Sequence, residues 1–150
     1  MSTSNPVSFA ATLHVRDHCL CLHTQRAARH LSRRFDAALR PAGLTSGQFS
    51  LMMGLNRPIP AGMRALATLL AMDRTTLTAA LKPLERRGLI AMTADPDDAR
   101  RRLLTLTASG AAMLATALPI WTDAHTKIDA ILAQESGSQV RRILRALELC

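Results

Sequence analysis

Between residues 66 and 107 the hydrophobic pattern of the chain changes period, and that change restricts the fold more than any other feature. The run LATLLAMDRTTLTAALKPLERRGLI keeps helical spacing. Leu66, Ala67 and Leu70 share one face of a short helix expected over about 63–71, and Leu77, Leu81 and Leu84, widened by Ala80, form the stripe of a second. Asp73 stands at the N-cap of that second helix, where a carboxylate accepts hydrogen bonds from the free first-turn amides. Gly88 supplies its stop, and Pro83, which has no amide to give, is expected to bend it. After Gly88 come two strand-like runs, LIAMTA and LLTLTA, separated by DPDDARRR. Upstream, Thr45 and Gln48 make a capping box for a helix over Ser46 to about Leu55, which NRPIPAG ends.

A short helix, a tight connection, a second capped helix and a β-hairpin with a basic tip together read as a winged helix-turn-helix. The fold class is therefore mainly α with a small β-hairpin wing. On its N-terminal side, residues 17–39 carry Leu20, Ala27, Leu31, Phe35 and Leu39 as an expected buried stripe opposite Arg26, Arg29, Arg33 and Arg34. Residues 1 to about 12 read as a loose arm. On the C-terminal side, SGAAMLATALPIWTDAHTKIDAILA is a long helical pattern with a kink expected at Pro119. A last helix, QVRRILRALEL, presents Val140, Ile143, Leu144 and Leu147. These terminal apolar rows exceed what a small winged-helix core can cover, so dimerisation is their expected use. The chain is read as a single domain, 1–150, with dimerisation helices over about 13–40 and 111–150 and a winged-helix lobe over about 45–108.

The balance of charge points to the partner. Lys and Arg number 19 against 11 Asp and Glu, a formal net charge of +8, and all but two of the cations are arginine. Guanidinium groups suit phosphates and base edges, so a polyanion is the expected ligand. Opposite the apolar row of the second helix lie Thr75, Thr76, Thr78, Ala79, Lys82 and Arg86, short polar groups first and cations further along. Three cysteines make no self-contained disulfide framework. No secretory leader is evident, nor any charge-free stretch of membrane-spanning length, so a cytoplasmic protein without membrane attachment is expected.

Four segments, GLTSGQFSLM, LATLLAMDRTTLTAALKPLERRGLI, DPDDARRRLLTLTASG and the long helix with its LPIW, resemble the MarR (multiple antibiotic resistance regulator) family of bacterial winged-helix transcription factors. The most specific match is at the wing, where Asp98, Arg100, Leu106, Thr107 and Gly110 occupy the family's pattern. The resemblance implies a homodimeric DNA-binding regulator of transcription, not an enzyme, built on terminal helices from both chains. It implies that the helix from about Arg74 to Arg87 lies in a major groove of double-stranded DNA. Thr75, Thr76, Thr78 and Ala79 would then face base edges, Lys82 a guanine edge or a phosphate, and Arg86 and Arg87 the backbone. Arg100, with Arg101 beside it, would sit at a minor groove, its guanidinium oriented by Asp98. By analogy the protein is a repressor on a pseudo-palindromic site. DPDD lacks the glycine and distal glutamate of an EF-hand, and no cofactor is required.

The signal is left open. Four of the five histidines and two of the three cysteines fall between residues 14 and 30. The pairs His14/His18, Cys19/His23 and His18/Cys21 are spaced to share helix faces, as zinc or copper ligands would, although no full ligand set falls on one face. The same cysteines can simply pack, or, since the resemblance brings first and last helices together, Cys150 can approach a partner's Cys19 or Cys21 for thiol oxidation. A fourth route is an anionic aromatic or lipophilic small molecule, with Arg16, Arg26 or His30 in reach of its carboxylate. Two other classes compete with these: a winged-helix module for protein contacts, which needs an acidic or apolar second helix, and a small Cys/His enzyme, which lacks an oriented third group.

Overall fold

The computed structural model describes residues 6–132, 134 and 136–149. The chain forms two compact units, one ending at Arg34 and one beginning at Phe35.

In the first unit, α1 spans Phe9–His18 and α2 begins at Leu20. The loose arm expected through residue 12 is corrected from Ser8 onward, because Ser8 caps α1 by accepting from the Ala11 amide at 3.2 Å; its residues 1–5 lie outside the described residues. The single helix expected over 17–39 is also corrected. Cys19 leaves the helical conformation at φ −73°, ψ 107°. Its sulfur accepts from the Leu22 amide at 3.4 Å, so a thiol serves as the cap of the next helix.

α2 runs Leu20–Leu39, but of its expected buried stripe only Leu39 is buried and Phe35 half-buried; Leu20, Ala27 and Leu31 are exposed. A single copy of the chain leaves that part of the stripe uncovered.

In the second unit, α3 spans Ser46–Leu55 with the expected capping box: Thr45 Oγ1 accepts from the Gln48 amide at 3.1 Å, and Gln48 Oε1 accepts from the Thr45 amide at 3.1 Å. A tie that no local pattern announces joins α2 to α3. The Asp36 carboxylate accepts from the Ser46 amide at 2.7 Å, and that bond holds its pKa below the ordinary carboxylate value. α4 follows at Met63–Leu69, then α5 at Arg74–Arg86. Ala71, in the tight turn between them, adopts φ 51°, a left-handed conformation that a β-carbon disfavours by about 1 kcal/mol. α5 continues without a break through Pro83, and α6, Ala108–Ile131, does the same through Pro119. The last helix, α7, spans Gly137–Leu147.

The hairpin pairs β2 (Ile90–Ala94) with β3 (Arg102–Leu106), with Met92 opposite Leu104. A two-residue strand, β1 (Ala61–Gly62), lies on the other side of β3 with Ala61 opposite Leu104, so the sheet order is β1-β3-β2. The sequence alone indicates only a helix-ending loop there. Leu104, on the central strand, is fully buried. It joins Leu39, Phe49, Met52, Leu55, Leu66, Leu77, Leu81 and Leu84 in one core. The apolar row of α5 is therefore wholly spent on the core, which fixes its opposite face outward. No described helix is long and apolar enough to cross a membrane.

Candidate nucleic-acid interface

Because Leu77, Leu81 and Leu84 are buried, helical geometry leaves Arg74, Thr75, Thr76, Thr78, Ala79, Lys82 and Arg86 exposed together. The N-terminus of this helix is tightly made. The Asp73 carboxylate accepts from the Thr76 hydroxyl at 2.6 Å and from the Thr76 amide at 2.8 Å. Those bonds, the hydroxyl first, hold the Asp73 carboxyl below the ordinary range. Thr78 donates its hydroxyl to the Arg74 carbonyl at 2.8 Å. The hydroxyl protons of Thr76 and Thr78 are thus already used, and what these two present outward is acceptor lone pairs, suited to the amino groups of adenine or cytosine. Thr75 Oγ1 makes no hydrogen bond among the described residues. Arg87 differs from its neighbours: its guanidinium turns onto the Met113 sulfur at 3.5 Å, away from the set of exposed α5 cations.

The wing turn explains its acidic residues. Asp95 Oδ1 accepts from the Asp97 amide at 2.9 Å, and Asp98 Oδ1 accepts from the Arg100 amide at 3.0 Å. The expectation that Asp98 holds the Arg100 guanidinium is corrected: it holds the Arg100 backbone. The carboxylate that meets a guanidinium is Asp95, 3.8 Å from Arg101. Two acidic side chains therefore shape the tip, and Arg100 has no ion pair among the described residues. At the other end of the hairpin, Thr107 donates to the Gly88 carbonyl at 2.7 Å and accepts from the Gly110 amide at 3.0 Å. This fixes the end of α5, the sheet and the start of α6 to one another.

α5 and the wing meet at one cavity of about 450 Å³, lined by Arg64, Arg74, Arg100, Arg101 and Arg102 over a floor that includes Gly62, Met63, Ala65 and Ala67. Sequence reasoning misses Arg64 and Arg102. No periodicity marks them, because their importance comes from β1 bringing the start of α4 beside β3.

A second feature is apolar. An open groove of about 410 Å³ is lined by Phe49, Met53, Leu69, Leu70, Leu118 and Trp121 among others. A smaller cavity of about 210 Å³ shares Phe49 and Trp121 and adds Phe35 and His125. The chain has one Trp, three Phe and no Tyr, so most of its aromatic side chains gather at this place. Trp121 stacks with Phe49 and Phe35 at centroid distances of 5.9 and 6.3 Å and lies 4.8 Å from the His125 ring. His125 Nδ1 lies 3.3 Å from Asp129, which in turn lies 3.6 Å from Arg141 of α7.

The candidate sensing residues are engaged locally. His14 and His18 stack at 4.3 Å, and His18 Nδ1 lies 2.8 Å from the His14 carbonyl. His23 Nε2 lies 3.2 Å from the Asp17 carbonyl. Cys19 is half-buried; Cys21 is exposed and its sulfur accepts from Gln25 at 3.3 Å. Among the described residues no three His, Cys, Asp or Glu side chains gather as a metal would need. Cys150 lies outside the described residues.

A helix-turn-helix whose outward face is threonine and cation, followed by a hairpin with an arginine tip, defines a winged-helix regulator of transcription. The chain belongs to the MarR family: that family's model matches residues 44–101, and relatives agree with it over longer spans. The MosR regulator of M. tuberculosis, solved in complex with DNA, is 38% identical with a TM-score of 0.80, over 87% of this chain and 93% of that one. The transcriptional repressor CouR bound to a 23-mer DNA duplex is 29% identical with a TM-score of 0.72, over 90% and 93% of the two chains. CouR is also known bound to p-coumaroyl-CoA, there at 26% identity and a TM-score of 0.79, over 89% and 94%. The transcriptional activatory protein BadR of Rhodopseudomonas palustris is 36% identical over 88 residues, 57% of this chain and only half of BadR.

Proposed function

We propose that the protein is a homodimeric repressor that occupies a pseudo-palindromic DNA site, with α5 in the major groove and the β2–β3 wing at the minor groove, and that a small molecule seated against Trp121 releases it. The observation that carries the DNA reading is the shared cavity: Arg74 at the start of α5 and Arg100, Arg101 and Arg102 of the wing line one concave basic surface. The DNA complexes of MosR and CouR support the same use of the fold. A winged helix used for protein contacts needs an acidic or apolar face on α5, and this one is threonine and cation.

Dimerisation is supported by apolar side chains left in solvent. On α7, Ile143, Leu144 and Leu147 are each more than 40% exposed, and in the first unit Phe9 and Leu20 are about 70% exposed. Such surface is retained where a second chain covers it. Repression rests on analogy with CouR, a transcriptional repressor: a dimer across a promoter excludes polymerase without an activating surface, although BadR is an activator.

For the signal, the aromatic groove supports a planar aromatic acid or its coenzyme A thioester, the class to which the CouR ligand belongs. His125 stands beside Trp121 and connects through Asp129 to Arg141 on α7, so an occupant has a polar route to that helix. Thiol oxidation at Cys19 and Cys21 is the second signal, favoured by the exposure of Cys21. No observation favours a metal at His18, Cys19, Cys21 and His23, since among the described residues no three ligands gather there.

The DNA reading is tested by fluorescence anisotropy with DNA from upstream of the protein's own gene, across a range of salt. Affinity that falls steeply with salt is expected; binding indifferent to salt refutes it. The signal is tested with the single tryptophan. Aromatic acyl thioesters should change Trp121 emission saturably and lower DNA affinity in the same concentration range. Leu118→Phe, which fills the exposed wall of the groove, should abolish both effects while leaving DNA binding without ligand intact. Unchanged emission at all concentrations counts against the groove as the effector site.

A further inference from the structure

We propose that the cavity at the foot of the wing is a phosphate-binding site in which Arg64 and Arg102, with Arg74, grip a phosphate group. This rests on the DNA reading above for one of its two sources of phosphate: the duplex backbone in the complex, or a small phosphorylated anion in the free protein.

The cavity is a concave space of about 450 Å³, ample for a phosphate group. Its arginines come from three separate elements: Arg64 from the first turn of α4, Arg74 from the first residue of α5, and Arg100, Arg101 and Arg102 from the hairpin. Guanidinium groups held around one space repel each other unless carboxylates or a bound anion compensate them. Compensation from the protein is slight. Asp95 meets Arg101 at 3.8 Å, and Arg64, Arg74, Arg100 and Arg102 have no ion pair among the described residues. All five side chains remain exposed, so they are available to a ligand.

The chemistry favours phosphate over a lone carboxylate. A phosphate offers tetrahedrally disposed oxygens that accept from several planar guanidinium forks at once, which is what convergence from three directions supplies. The floor is small and apolar, with Gly62, Ala65 and Ala67, and a β-carbon at Gly62 would come 3.9 Å from the Arg101 guanidinium. An ester or sugar carbon next to the phosphate can rest there.

The division of labour is specific. Arg100 meets the minor groove; Arg64 and Arg102 hold the backbone beside it and carry no sequence information. A phosphorylated small molecule that fills the same cavity competes with DNA directly.

Two arms of one experiment test this on the full-length protein. In the first, Arg64→Gln and Arg102→Gln are titrated with specific and scrambled duplexes across salt, with Lys127→Gln on α6 as the control. Both replaced side chains are exposed, and unchanged circular dichroism melts establish that the variants fold. Each variant should weaken both duplexes alike and reduce the slope of log affinity against log salt by about 1 for each phosphate that is no longer neutralised. In the second, pyrophosphate is added without DNA, at constant ionic strength, and the arginine Nε–Hε resonances are followed by NMR. The resonances of Arg64, Arg74 and Arg102 should shift saturably, and those of Arg33 and Arg142 should not.

Shifts with reduced slopes establish the site with DNA as its occupant. Shifts with unchanged slopes establish the site and assign it to free phosphorylated anions. Unchanged slopes with no selective shifts overturn the proposal. If the wild-type protein binds no DNA at any salt, the DNA reading fails by itself, and the pyrophosphate arm still decides the cavity.

Discussion

Arg100→Ala is expected to weaken specific DNA binding by about 1–3 kcal/mol per half-site, hence about 2–6 kcal/mol for a dimer, or on the order of 30-fold to 10,000-fold in Kd. The size follows from how the wing is built. Arg100 is exposed and has no ion pair among the described residues, so binding DNA costs it no protein partner. Its backbone is already fixed by the bond from its amide to Asp98 at 3.0 Å, so only the side chain remains to be ordered. The loss should be largest on duplexes with an A·T-rich minor groove at the wing position, because narrow grooves concentrate negative potential. Asp98→Ala should give a smaller loss, and the double variant should lose little more than Arg100→Ala alone, since Asp98 acts by placing Arg100. Equal affinity of Arg100→Ala and wild type across A·T-rich and G·C-rich flanks would remove the wing from the interface.

The second large effect concerns folding. Gly110→Ala is expected to destabilise the protein by about 2–3 kcal/mol, lowering Tm by roughly 5–10 °C. Gly110 is buried in the first turn of α6, where a β-carbon would overlap the Leu89 carbonyl oxygen and come 2.8 Å from Leu106 Cδ1. The backbone cannot move away easily. The Leu89 carbonyl also accepts from the Thr107 amide at 3.1 Å, and Thr107 is bonded to both Gly88 and Gly110. A calorimetric melt of Gly110→Ala measures this, and an unchanged Tm means that α6 can shift without loss. DNA binding should fall with it, because the same junction sets the end of α5 against the wing.

The elements legible in the sequence are those that signal themselves locally. Asp73, Thr45 with Gln48, and Gly88 are caps whose partners lie within four residues, and the structure has each where its spacing places it. The hairpin follows from two strand-like runs, and the outward face of α5 from the leucines that occupy the other side. What stays hidden depends on distant partners or unusual chemistry. β1 is two residues long and carries no periodicity; its identity comes from pairing with Leu103 and Leu104. The break at Cys19 has no glycine or proline, only a sulfur that takes the place of a capping oxygen. The stripe on α2 reads as buried because period alone cannot say whether its cover is the same chain or another. Spacing pairs Asp98 with the nearest cation, whereas a turn brings a backbone amide closer than any guanidinium. Arg64 has no local signal at all; only the sheet, which sets the start of α4 beside the wing, brings it to the site.

The proposed mechanism stands on a two-fold molecule that presents two α5 helices to successive major grooves. Its most direct test is hydroxyl-radical footprinting of the upstream duplex, with the mass of the complex measured in parallel by light scattering. Two protein chains per duplex are predicted, with two protected regions about one helical turn apart and α5 residues Thr75 and Lys82 required for both. A single chain per duplex, or one uninterrupted protection that Thr75→Ala and Lys82→Ala leave unchanged, would contradict it.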